Sequence, residues 1–265
     1  LTILSRITGF IRDIALAFFL GAGIVSDIFF ISSKLPNLFR RITAEGAMTS
    51  SFLPIYSKLL HQKKSENAQK FSAIICFFLI IFLTIIVILL EIFMPFIIKI
   101  IAPGIINYEN FFNEIVILSR FTIIFLPFIS MTAFFGAMLN ASGRFFYFAF
   151  TPIIFNLSII ISCFYINEAL KIKSLPLALA MPISGFIQFC FIYYFVKKFN
   201  LITKVFFKIS NLKQNNFKKF KKNILDTFKR FFPALLSGGI FQINILVDTI
   251  LATIVGFGAV SFLYY

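Results

Sequence analysis

Arg6, Gly9 and Asp13 fall on one stripe of a helix, because seven residues make about two turns, and Arg12 flanks that stripe. Asp27, Lys34, Arg41 and Glu45 follow a spacing of 7, 7 and 4, again one helical face, with Arg40 beside it. Arg230, Ser237, Asn244 and Asp248 repeat that spacing. All three sets lie in stretches that are otherwise apolar. An ionisable group in hydrocarbon is costly and settles against a water-filled cavity or a partner, so three helices each turn a polar seam toward something other than lipid. A plainer reading stands beside this one: Arg6, Lys229 and Arg230 snorkel to an interface, while Arg12 with Asp13, Asp27 with Lys34, and Arg41 with Glu45 form structural ion pairs. Snorkelling does not explain why the charges share faces. The seams suit the binding and release of polar cargo, and covalent chemistry is poorly served. Cys76, Cys163 and Cys190 stand singly without C-x-x-C spacing, as packing residues, and the lone His61 sits in a basic loop. No catalytic residue, metal or cofactor is expected, and hydrolysis is disfavoured.

The elements that must carry these seams are membrane spans. Hydrophobic residues make up 60% of the chain, charged residues 13%, and the mean hydropathy is +0.96, outside the range of soluble domains. Charge-free runs of 20 (Phe71 to Leu90), 23 (Phe121 to Gly143), 23 (Phe145 to Asn167) and 23 residues (Ser174 to Val196) each suffice to cross hydrocarbon as a helix. Three further spans, interrupted by charge, are expected at about 1–20, 26–59 and 224–254, and an eighth begins near Ala259. Pro36 breaks the second helix, and Pro233 with Gly238 and Gly239 loosens the seventh. The abundant Phe is read as AT-rich codon usage, not as an aromatic binding surface. The apolar run after Arg12-Asp13 is read as a helix, not a signal peptide, with a few residues expected before Leu1.

Charge sets the orientation. The loops after the second, fourth and sixth spans carry fourteen basic residues, nine of them lysines from Lys197 to Lys222, against two, Lys171 and Lys173, in the opposite loops. By the positive-inside rule the N-terminus is cytoplasmic. The basic stretch is read as a cytosolic loop against anionic headgroups, not a nucleic-acid site. Residues 13–30, DIALAFFLGAGIVSDIFF, return as 248–265, DTILATIVGFGAVSFLYY, with seven identities in eighteen ungapped positions. Six spans separate the copies, so they run in the same direction, as in transporters built from parallel repeats. The expected fold is therefore an all-α polytopic membrane protein, seven transmembrane helices plus the start of an eighth: an N-terminal lobe at 1–196, a basic cytosolic loop at 197–222, and the start of a second lobe at 223–265.

These residues also carry a resemblance. S-R-x-x-G-F-x-R-D at Ser5 to Asp13, G-A-G at 21–23, S-D-x-F-F at Ser26 to Phe30 and K-L-P-N-L-x-R-R-x-x-A-E-G-A at Lys34 to Ala47 resemble the signature of the MurJ (MviN) lipid II flippase family. The likeness continues through F-x-P at 52–54, A-P-G at 102–104, L-N-A-x-x-R-F at Leu139 to Phe145 and the final Tyr-Tyr. It implies about fourteen helices in two lobes, of the superfamily that includes polysaccharide flippases and multidrug antiporters, with this chain as a fragment holding the first lobe. Carried over by position, it implies a substrate site of Arg6, Arg12, Asp27, Arg40, Arg41 and Glu45. A further essential arginine of the family follows its Tyr-Tyr pair, past Tyr265.

The implied activity is translocation of lipid II, the undecaprenyl-pyrophosphate-linked peptidoglycan precursor, from the cytoplasmic to the outer leaflet of the inner membrane by alternating access, with the bilayer and lipid II as partners and a monomer at full length. Arginine suits that task, since its planar fork binds phosphate oxygens bidentately and stays charged when partly desolvated. Asp27 and Glu45 would pair with the arginines until the anion arrives. The alternatives are a cation-coupled multidrug antiporter, a flippase for another polyprenyl-linked polysaccharide, or an enzyme of lipid-linked sugars. An antiporter for cationic drugs needs carboxylates that outnumber arginines; the first two helices hold four arginines and Lys34 against Asp13, Asp27 and Glu45.

Overall fold

The computed structural model describes residues 2–42, 48–62, 65–166, 170–202 and 214–265, and every regular element among them is helical. The first apolar stretch forms α1 (Thr2–Leu20), which ends at Gly21 in a left-handed turn. The second crossing is built from three pieces: α2 (Ile24–Ser32), α3 (Lys34–Arg40) and α4 (Met48–His61). Then come α5 (Ser65–Ile101), a 3₁₀ turn at Pro103–Ile105, α6 (Glu109–Ile123), α7 (Phe125–Ala141), α8 (Phe145–Cys163) and α9 (Leu175–Lys198). The long α10 (Gln214–Val255) and the short α11 (Ala259–Tyr264) close the chain.

Among the described residues, five helical segments can cross a membrane by length and composition: Glu66–Ile101, Glu109–Ala141, Phe145–Cys163, Leu175–Lys198 and Lys218–Val255. Charges in α1 and the divided second crossing keep these two from matching such a simple span. The helices overrun the charge-free stretches seen in the sequence. Glu91, beyond the run that ends at Leu90, lies on α5 and faces Arg120 of α6 at 3.8 Å. Outward faces of α1, α5 and α10 expose large apolar residues such as Phe18, Ile92 and Leu236, as a lipid-facing surface requires.

The core forms where α7 packs on α9, α8 on α9 and α1 on α8. It is phenylalanine-rich: Phe52, Phe71, Phe125, Phe134 and Phe135 are fully buried. Small residues let these helices close up. A Cβ at Gly104 would collide with the backbone carbonyl of Thr253, so the end of α10 sits directly on the 3₁₀ turn. Cys76 and Cys163 are packed inside as expected, whereas Cys190 is exposed.

The prolines divide into two kinds. Pro54, Pro95, Pro152, Pro182 and Pro233 lie inside helices that run on without interruption. The seventh helix runs on through Pro233, Gly238 and Gly239, and the two glycines lie against Ile42. One lost hydrogen bond is tolerated when the flanking turns are held by packing. Pro36 and Pro127 are different: α2 stops at Ser32 and α3 begins at Lys34, just ahead of Pro36, and α6 stops at Ile123 and α7 begins at Phe125, just ahead of Pro127.

Candidate functional site

A cavity of about 830 Å³ opens in the middle of the bundle, walled by α1, α2, α3, α7, α8, α9, α10 and α11. Four basic residues line it, Arg12, Lys34, Arg40 and Arg41, with two carboxylates, Asp13 and Asp248. The 7- and 4-residue spacing is the local reason: on α3 and just after it, Lys34, Asn37, Leu38 and Arg41 recur at helical steps and face one side. Phe29, Phe30, Phe125, Phe148 and Phe155 supply an apolar wall, so phenylalanine contributes to the lining.

Arg12 is held at three of its guanidinium nitrogens. Its Nε and Nη2 donate to Asp13 Oδ1 at 3.0 and 2.7 Å, and its Nη1 donates to Asn156 Oδ1 at 3.0 Å. The guanidinium carbon stands 5.9 Å from the Phe155 ring centroid. Asn156, on α8, is 5% exposed. It is fixed from its other end, donating from Nδ2 to the Thr8 hydroxyl (3.1 Å) and the Ser5 carbonyl (3.2 Å) of α1. The fork of Arg12 is thus preorganised toward the cavity by one neighbour on its own helix and one on α8.

Asp27 does something else. It is 2% exposed, does not line the cavity, and accepts from the backbone amides of Gly258 (Oδ2, 2.6 Å) and Ser261 (Oδ1, 2.7 Å). These are orphan amides at the start of α11, where a carboxylate is most favourable. Gly258 has φ of 87°, a left-handed conformation that glycine adopts without strain. The two copies of the sequence echo meet here. Ser26 donates to the Gly23 carbonyl at 2.8 Å, and its equivalent Ser261 donates to the Gly258 carbonyl at 2.9 Å. The Gly23 amide lies 3.2 Å from the Ser261 hydroxyl. Phe30 stacks on Tyr264 with ring centroids 3.8 Å apart, and Tyr265 donates to the Gly21 carbonyl at 3.4 Å. One end of the cavity is therefore closed by direct contact between the repeats.

Of the six residues expected at the site, Arg12, Arg40 and Arg41 line the cavity. Arg6 is exposed outside it, roughly 10 Å further down α1 from Asp13 by helical rise. Asp27 anchors the neighbouring repeat, and Glu45 lies outside the described residues. The Arg12–Asp13 pair exists as expected, but Asp27 takes its partners from α11 rather than from Lys34. On α10, Asp248 reaches the lining while Arg230, Ser237 and Asn244 do not. Asn156, Gln188, Gln242, Asn37 and Ser33 line the cavity and were missed. Asn156 and Gln188 had a signal, each being an amide inside a charge-free apolar run, where a polar group needs a partner.

Helices of membrane-crossing length around a basic central cavity, sealed at one end by the opening of a second copy of the same repeat, define an all-α polytopic membrane protein with the fold of a transporter lobe. The family model described as lipid II flippase MurJ matches residues 16–265, and the chain belongs to that family. It is 35% identical over its full length to the probable lipid II flippase MurJ of Rickettsia prowazekii, and 34% identical to that of Buchnera aphidicola subsp. Schizaphis graminum, covering 50% of each. Against the Aquifex aeolicus relative, 99% of the chain aligns at 34% identity with 49% of that protein. A solved structure of lipid II flippase MurJ in an inward closed conformation superposes on the whole chain with a TM-score of 0.78 at 28% identity, using 52% of its own length. The chain spans about half the length of the relatives it matches.

Proposed function

We propose that the protein translocates lipid II from the cytoplasmic to the outer leaflet of the inner membrane, by rocking two lobes around its central cavity. The observation that carries this reading is the Arg12 fork. It is held toward an 830 Å³ cavity that also receives Lys34, Arg40 and Arg41, an arrangement suited to a pyrophosphate and its attached head group. Asp13 occupies Arg12 until an anion arrives, so the cation is neutralised when the cavity is empty and released when it is filled. Residues 1–196 form the first lobe, 197–222 a basic cytosolic loop and 223–265 the opening of the second lobe. The N-terminus is cytoplasmic, as the fourteen-to-two excess of basic residues supports, which makes the Gly23–Ser261 contact the outer seal. The substrate residues are Arg12, Arg40 and Arg41 in the cavity, with Arg6 at its cytosolic approach, Asp27 acting on the seal and Glu45 completing the second-helix seam. No covalent step is required, and the full-length protein acts as a monomer.

The test is depletion of the full-length protein while lipid II is followed across the membrane. Lipid II should accumulate in the cytoplasmic leaflet. Unchanged translocation with altered efflux of cationic drugs would sink this reading in favour of an antiporter; glycosyl transfer by the purified protein would favour an enzyme.

A further inference from the structure

Pro36 stands four residues after Ser32, and a prolyl nitrogen has no hydrogen, so the Ser32 carbonyl loses the donor that a continuous helix would give it. Ser32 is fully buried in an apolar bundle, where water cannot substitute. The missing donor comes from another helix. Thr122 of α6, also fully buried, places its Oγ1 2.7 Å from the Ser32 carbonyl oxygen. A hydroxyl carries one proton, and the longer 3.1 Å to the Ser119 carbonyl of its own helix directs that proton across the interface. The neighbouring hydroxyls turn backward: Ser32 donates to Phe29 at 2.9 Å and Ser33 to Phe30 at 3.1 Å, closing the last turn of α2 on itself. Pro127 also follows a break, between α6 and α7, but five other prolines interrupt no helix, so a proline alone does not make this joint.

The joint lies between two pieces with separate duties. Above it, α2 is tied through Asp27 to α11; below it, α3 brings Lys34, Asn37 and Arg40 to the cavity. We propose that Thr122 is a positioning residue for transport: its hydroxyl takes the carbonyl that Pro36 leaves without a donor, and so fixes the joint at which α3 presents its cations to the substrate. The pairing of Thr122 with Pro36 is independent of what is carried, while its consequence for turnover rests on the proposed transport of lipid II.

Full-length protein carrying Thr122→Val, Thr122→Ser, Pro36→Ala, or Pro36→Ala with Thr122→Val separates these. Amide exchange across residues 33–40 without substrate reads the joint, and lipid II translocation reads its consequence. Thr122→Val should speed exchange about tenfold, the factor one hydrogen bond is worth, and slow translocation comparably. Thr122→Ser should restore both. Pro36→Ala supplies a backbone amide that can reach the Ser32 carbonyl, so in that background Thr122→Val should leave exchange nearly unaltered. Equal effects of Thr122→Val in the Pro36 parent and in the Pro36→Ala variant, or failure of Thr122→Ser to rescue, would overturn the pairing. Normal translocation by Thr122→Val despite faster exchange would overturn the positioning role. A parent protein that moves no lipid II would instead sink the transport reading, with the exchange result still deciding whether the joint is as described.

Discussion

The Asp27 carboxylate and the backbone amide of Ser261 meet at 2.7 Å, across 234 positions of sequence, and the Gly258 amide shares the same carboxylate at 2.6 Å. A helix of the first repeat thereby caps the first helix turn of the second copy's α11. Helix starts leave amides without partners, and a buried carboxylate needs donors, so each solves the other's problem. The contact joins the two copies of the repeat at one end of the cavity.

Replacing Asp27 with Asn keeps one acceptor and turns the other oxygen into a donor that faces an amide. The interface should weaken by about 1–3 kcal/mol, the cost of an unpaired buried donor. Cross-linking between cysteines introduced at Phe30 and Tyr264 in the full-length protein should fall accordingly. An unchanged yield would mean that contacts other than the carboxylate hold the two ends together.

Arg12→Ala should abolish complementation of a conditional depletion strain at normal membrane levels, because it removes the fork and leaves Asp13 uncompensated. Arg12→Lys should also fail, since an ammonium cannot make the Nε and Nη contacts together. Full rescue by Arg12→Ala would assign the arginine to structure.

Asn156→Leu preserves approximate volume but removes the acceptor for Arg12 and the donor to Thr8 and Ser5. Lipid II affinity should drop about tenfold, as expected for loss of a charge-assisted hydrogen bond. Asn156→Gln should recover part of it. Titration of detergent-solubilised full-length protein with lipid II measures both.

Gly104→Ala should reduce membrane yield and thermal stability without touching the cavity, because the added Cβ would enter the Thr253 carbonyl. A size-exclusion melting profile reads this directly.

Lys222→Ala should be nearly silent in complementation and topology mapping. Lys222 is exposed, and eight other lysines between Lys197 and Lys221 preserve the orientation signal.

Hydropathy, run length and loop charge are properties of short windows, so the membrane class, the helical crossings and the repeat were all legible before any coordinates. Part of one seam was legible too, because a helix repeats every 3.6 residues and places Lys34 and Arg41 on one side whatever surrounds them. Periodicity assigns a face to a helix; it says nothing about which helix stands opposite, or at what depth. That is why Arg6 and Arg12, six residues apart in one helix, part company, with only Arg12 at the cavity. It is also why Asp27 reads as one more charge on a polar seam yet is spent on α11, and why Pro36 ends a helix while Pro233 does not. The partner of each lies far along the chain, Ser261 for Asp27, Asn156 for Arg12 and Thr122 for the Ser32 carbonyl. Only the relative rotation and height of packed helices bring such groups within 3 Å, and those are set by the whole bundle at once.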